Sequence, residues 1–111
     1  MGERITSYRA FWPYYLREHS CGLTRLIHVA GTGAGLLLLL LTLITQNWWL
    51  LLAALLCGYG FAWISHLLIE RNRPATFTYP LWSFVSDLRM CYLFCLGRLD
   101  REVRKHGISS G

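Results

Sequence analysis

The chain has 111 residues, of which 54% are apolar, 14% aromatic and only 15% charged, with a net charge of +5. That length bounds it to one domain, and that balance excludes an ordinary water-soluble globule. The basic residues are scattered through apolar surroundings without a nucleic-acid-binding motif, so no nucleic acid is expected as a partner; the charge reads as topology and as attraction to anionic lipid headgroups.

Residues 1–28 contain ITSYRAFWPYYLREHS, a mixture of Tyr, Trp and Arg that suits a membrane interface. This segment is expected to lie along the surface, with Pro13 breaking or starting a helix. From Leu26 to Ile69 there is no Lys, Arg, Asp or Glu, which makes 44 uncharged residues, where one span needs about 20. Two spans are therefore predicted, 29–45 and 48–69, turning at Gln46 and Asn47. The apolar run starts too far from Met1 to read as the core of a cleaved signal peptide. All eleven Lys and Arg residues lie outside this hairpin, which predicts both termini in the cytoplasm.

Residues 70–80 carry two prolines and read as a loop. Over 81–104 the apolar side chains recur near a helical period, but Asp87 and Arg89 interrupt them, and a third crossing would carry Arg98, Arg101, Arg104 and Lys105 to the wrong side. An interfacial amphipathic or re-entrant helix packed beneath the hairpin is expected instead. The tail after His106 should fray, with His106 solvated. Cys21, Cys57, Cys91 and Cys95 show no CxxC spacing and are expected as free packing residues. The predicted fold class is an all-α membrane protein: a two-helix transmembrane hairpin flanked by an N-terminal interfacial segment and a C-terminal amphipathic or re-entrant helix.

Counting outward from the turn, Gly35 and Gly58 share one depth and His28 and His66 another, to within about 2 Å at 1.5 Å per residue. His28, Gly31, Thr32 and Gly35 fall on one face of the first span; Gly58, Ala62, His66 and Glu70 fall on one face of the second. Small residues mark close approach of membrane helices, so if the glycines meet, the histidines do too. His66 and Glu70, at i and i+4, form a two-ligand clip; His28 would add a third ligand and His19 a fourth. Imidazole and carboxylate in an incomplete coordination sphere suit non-haem iron, with zinc as competitor. The same facing histidines would also serve as axial ligands of a haem. Plainer readings are headgroup hydrogen bonds for the histidines, a salt bridge between Arg25 and Glu70, or a hairpin that only shapes membrane.

The stretches YYLREHSCGLTRLIHVAGT and GYGFAWISHLLIERNRPATFTYPLWSFVSDLRM resemble the Mpo1-like family. The resemblance runs from Tyr14 to Arg98 and is most specific from Gly60 to Met90, with Tyr15, His19 and His28 in support. It implies a membrane dioxygenase dependent on Fe(2+), which uses O2 to shorten 2-hydroxy fatty acids by one carbon through α-oxidation, with His19, His28 and His66 as catalytic histidines and metal ligands. Glu70 as a further ligand comes from spacing alone. Arg71 and Arg73 are placed to attract the substrate carboxylate. Arg25, Asp87 and Arg89 are expected behind the ligands, the last two as a pair holding the final helix over the site. Thr24 and SCG depart from the family pattern. Fungal members are longer, so a homo-oligomer is expected to wall off the substrate, and a bacterial inner membrane is the expected location.

Overall fold

The computed structural model describes residues 4–108, so the end of the expected frayed tail lies outside the described residues. Every regular element among them is helical. Helix α1, Tyr8–Arg17, starts where Ser7 Oγ accepts the Ala10 amide at 3.2 Å, a standard N-cap that satisfies a backbone donor left over at a helix start. Pro13 sits inside α1 rather than breaking or starting it. The proline deprives only the Arg9 carbonyl of its partner, and Arg9 is exposed, so that carbonyl is not stranded in a core.

Helix α2, Gly22–Thr45, begins at Gly22 rather than at 29 and ends at Gln46, whose left-handed φ of 58° caps it. Helix α3, Trp49–Glu70, runs back beside it. Two of its turns, Leu56–Gly60 and His66–Glu70, are π-helical. A π turn closes its hydrogen bonds over five residues rather than four and shifts the register of everything beyond it. Both α2 and α3 are long and apolar enough to cross a membrane, and only 28% and 22% of their most apolar stretches are buried. Leu37, Leu40, Leu43, Ile44, Leu52, Leu56, Leu67 and Leu68 point outward, at least half exposed. The two helices approach through small residues. A Cβ on Gly31 would stand 2.6 Å from the Cys57 carbonyl oxygen, and one on Gly35 would stand 3.0 Å from that of Ala54 and 3.4 Å from Gly58 Cα. Gly35 and Gly58 therefore do lie opposite each other.

After α3 come a short 3-10 turn, Ala75–Phe77, helix α4, Pro80–Cys95, and helix α5, Leu99–Lys105. The single helix expected over 81–104 is split, because Gly97 adopts φ 71° and turns the chain between α4 and α5. The core lies mostly outside the long pair, which contributes Val29 to it. Phe11, Trp12, Tyr15 and Leu16 of α1 are at most 3% exposed and pack with Ala75, Met90, Leu99, Val103 and Ile108. The aromatic residues assigned from sequence to a membrane interface thus build a protein core. Trp12 stacks on Tyr15 with an interplanar angle of 12°, and Tyr79 stacks likewise on Trp82. Ile108 belongs to that core, so the chain past His106 is held at least that far. His106 is half-buried and lies 3.7 Å from Glu102 rather than in open solvent. All four cysteines are free thiols.

Candidate metal centre

The link between α1 and α2 places His19, the first turns of α2 place His28, and the second π turn of α3 places His66. All three are at most 4% exposed. One ring nitrogen from each lies within 4.8 Å of the others. The rings of His19 and His66 are 4.3 Å apart, those of His19 and His28 4.8 Å, and those of His28 and His66 6.2 Å.

The hydrogen-bond partners decide which nitrogen of each ring carries hydrogen. His19 Nδ1 lies 2.7 Å from the Tyr15 carbonyl oxygen, which can only accept, so Nδ1 donates and Nε2 keeps its lone pair. His66 Nδ1 lies 2.7 Å from Asn72 Oδ1; the Asn72 amide is oriented by its own Nδ2, which donates to the Glu18 carbonyl at 3.2 Å. His66 Nε2 is therefore also a bare lone pair. His28 Nε2 donates to Asp87 Oδ1 at 2.6 Å, and the Tyr15 hydroxyl donates to the same oxygen at 2.6 Å. That leaves His28 Nδ1 buried and without a hydrogen-bond partner.

His19 Nε2 and His66 Nε2 thus present lone pairs, and His28 Nδ1 is a third buried acceptor without a partner. His19 Nε2 and His66 Nε2 face each other at 2.9 Å. A shared proton would have to charge a buried ring. At His19 burial first, and then the neighbouring His28, His66 and Arg25, push the imidazole well below its ordinary value, so it is neutral. A metal ion fits this donor set: bonded at about 2 Å to two imidazoles, it holds them about 3 Å apart. In addition, each ring has one nitrogen hydrogen-bonded to an oxygen, the kind of support that fixes metal-ligating histidines. The cavity beside the three rings is only about 10 Å³ and includes Ser83, whose hydroxyl is 2% exposed and has no partner.

Glu70 does not join His66 in a clip. Its Oε1 accepts from Ser20 Oγ at 2.9 Å and its Oε2 from the Cys21 amide at 2.7 Å, so it caps the start of α2, where a negative charge also meets the positive helix end. Those two donors both lie on the link before α2, and they take up both oxygens of the carboxylate. Arg25, 3% exposed, donates through Nη1 to the carbonyls of His19 at 2.7 Å and Ser20 at 3.0 Å and so secures the link that carries His19. Asp87 serves His28 rather than Arg89. Residues two apart on a helix face different ways, and Arg89 instead lies over the Trp12 ring at 4.1 Å with Glu102 at 3.6 Å. Arg71 and Arg73 are exposed and do not line the histidine cavity; Arg73 lies over the Phe77 ring.

Asn72 escaped the sequence reading, and Tyr15 entered it only as part of the family pattern. Asn72 lies just past the helix end, where its backbone N–H closes onto the His66 carbonyl at 3.0 Å; only its amide side chain just past a histidine-bearing helix was a cue. Tyr15 stands four residues before His19 on one helical face, which brings its ring to 4.2 Å from the imidazole. Thr24, where the chain departs from the pattern expected at that position, buries a hydroxyl without a partner.

Among comparisons with known proteins, the family described as 2-hydroxy-palmitic acid dioxygenase Mpo1-like matches residues 5–99. No curated protein and no solved structure matches.

Proposed function

The chain belongs to the Mpo1-like family, and on that premise we propose that it is a membrane dioxygenase that uses iron(II) to convert 2-hydroxy fatty acids to the acid one carbon shorter. The observation that carries this reading is the grouping of three buried imidazoles, one ring nitrogen of each within 4.8 Å of the others, with each ring held by a hydrogen bond to an oxygen. Iron(II) held by His19, His28 and His66 would keep positions open for substrate and dioxygen, and would supply the dioxygen activation that side chains cannot. The stoichiometry balances without a further reductant. A 2-hydroxy acid and dioxygen give the shortened acid, carbon dioxide and water, and the four electrons leaving the substrate are the four dioxygen accepts.

The chain's own groups do the rest. Tyr15, Asn72 and Asp87 hold the rings in the tautomers that present lone pairs inward. The buried Ser83 hydroxyl supplies a hydrogen bond to the substrate's polar end, and the packed core over the site keeps bulk water out. Arg71 and Arg73, exposed at the end of α3, gather anionic substrate at the bilayer surface. In this reading α2 and α3 form a transmembrane hairpin with both termini cytoplasmic, in a bacterial cell at the inner membrane. The outward face of α4, with Leu81 74% and Tyr92 64% exposed, lies in the interface.

The small cavity beside the rings disfavours a haem between them. Zinc satisfies the same donors. Metal analysis and an optical spectrum of the anaerobically purified protein, alongside His28→Ala and His66→Ala, decide the matter. One iron per chain without a Soret band, lost in both variants, is the expected result, together with oxygen uptake on adding 2-hydroxy fatty acids. Zinc alone, after Fe(II) reconstitution has been tried, would overturn the oxygenase reading.

A further inference from the structure

A second cavity, about 150 Å³, opens between α2, α3 and α4. Its walls include Leu36, Leu39, Leu51, Leu55, Phe84 and Leu88. We propose that this groove holds the hydrocarbon tail of the substrate and that Gly58 sets the length of tail it admits. The proposal rests on the oxygenase reading and extends it from the reacting end of the substrate to the other.

Continuity argues for this occupant. Tyr59 and Asp87 line both this groove and the cavity around the three histidines, so one end of the groove adjoins the candidate metal centre. Along α2 the groove runs from Thr32 to Leu39, about 10 Å at 1.5 Å per residue, away from His28 and into the most apolar part of the pair. A molecule with its polar end at the histidines would therefore send an alkyl tail down this line. The walls match such a tail, being leucine, phenylalanine and the small residues Gly35, Ala54 and Gly58.

The two glycines differ in a way that points to function. At Gly35 a Cβ would meet the Ala54 carbonyl oxygen at 3.0 Å, so its lack of a side chain is explained by helix packing. At Gly58 a Cβ would meet nothing within 4 Å. Packing does not require glycine there, and what its absent side chain leaves is groove. Between helices and lipid, burying a methylene gains little, because lipid tails are as apolar as the groove. The groove therefore selects by shape, and bulk at residue 58 acts by exclusion.

The test is a series of saturated 2-hydroxy acids from short to long, followed by oxygen uptake, with iron content measured in each protein. In Gly58→Leu the ratio of long-chain to short-chain turnover should fall about tenfold or more, with iron per chain as in the parent and Gly58→Ala intermediate. Ile44→Phe, which adds bulk at an exposed position outside the groove, should leave the profile unchanged. An unaltered profile in Gly58→Leu with iron retained would overturn the groove assignment while sparing the oxygenase reading. A second readout needs no turnover: a 2-hydroxy acid with a terminal diazirine, photolysed on the whole protein and mapped by mass spectrometry. Labelling of Leu36, Leu51 or Phe84 that is competed by untagged acid and lost in Gly58→Leu supports the proposal even if no activity is found. Labelling elsewhere overturns it, as does groove labelling that untagged acid does not compete, which would mark a bilayer lipid as the occupant.

Discussion

His19 Nε2 lies 2.9 Å from His66 Nε2, and neither nitrogen carries a hydrogen to place between them. On the His66 side that state depends on Asn72, whose oxygen takes the Nδ1 hydrogen. In Asn72→Ala the ring is free to turn and to change tautomer, and metal affinity should fall about 10- to 100-fold. Asn72→Asp, which keeps the acceptor, should retain most of it. Competition with a coloured chelator measures both.

Asp87 carries more than one bond, since Tyr15 and His28 donate to the same oxygen. Asp87→Ala should lower metal affinity by about 10- to 100-fold and also expose His28 to a wrong tautomer. Tyr15→Phe removes only one donor to the carboxylate and leaves the carbonyl that holds His19, so its loss of affinity should be smaller. Equal losses in the two variants would show that Tyr15 acts through something other than Asp87.

Glu70 separates ligation from capping. Its oxygens are bonded to Ser20 and Cys21, so Glu70→Ala should cost about 1 kcal/mol of stability as a lost helix cap while iron content per chain stays at the parent level. Loss of iron in a variant whose thermal unfolding is unchanged would return Glu70 to the coordination sphere.

Gly31 and Gly33 make a paired test of the helix contact. Gly31→Ala forces a methyl to within 2.6 Å of the Cys57 carbonyl oxygen unless the helices part, and should destabilise by about 1–3 kcal/mol. Gly33→Ala meets nothing within 4 Å and should be neutral or stabilising by up to about 1 kcal/mol. Unfolding in mixed micelles compares them directly.

Acid should loosen the packed head through Glu102. Burial pushes its carboxyl up, but the Trp12 hydrogen bond at 2.8 Å, with Lys105, Arg89 and His106 nearby, outweighs burial and holds it below the ordinary 4.5. A carboxyl lowered in the folded state contributes stability that is fully present above its unfolded value and is lost as pH falls through the folded one. Melting temperature should therefore decline below about pH 4.5, and Glu102→Gln should flatten that decline.

The long helices were legible because 44 uncharged residues leave few alternatives, and counting outward from Gln46 and Asn47 was enough to bring His28 near His66. Glu70, judged by i+4 spacing, finds its donors instead at the Ser20 hydroxyl and the Cys21 amide, which spacing within one helix cannot show. The α1 aromatics misled for a different reason. Tyr, Trp and Arg suit a headgroup layer and a small protein core equally well, and only tertiary packing against α4 and α5 distinguishes the two. Asn72 lay beyond any periodicity, in a loop.

The candidate ligands and their supports follow one another along the chain as Tyr15, His19, His28, His66, Asn72 and, last, Asp87, on a helix that also closes the groove. A ribosome delivers these in that order. A nascent chain that has inserted both long helices already owns three histidines, but it lacks the carboxylate that aims one of them and the helix that shields all three. A chain truncated before α4 should therefore hold metal more weakly than the whole protein.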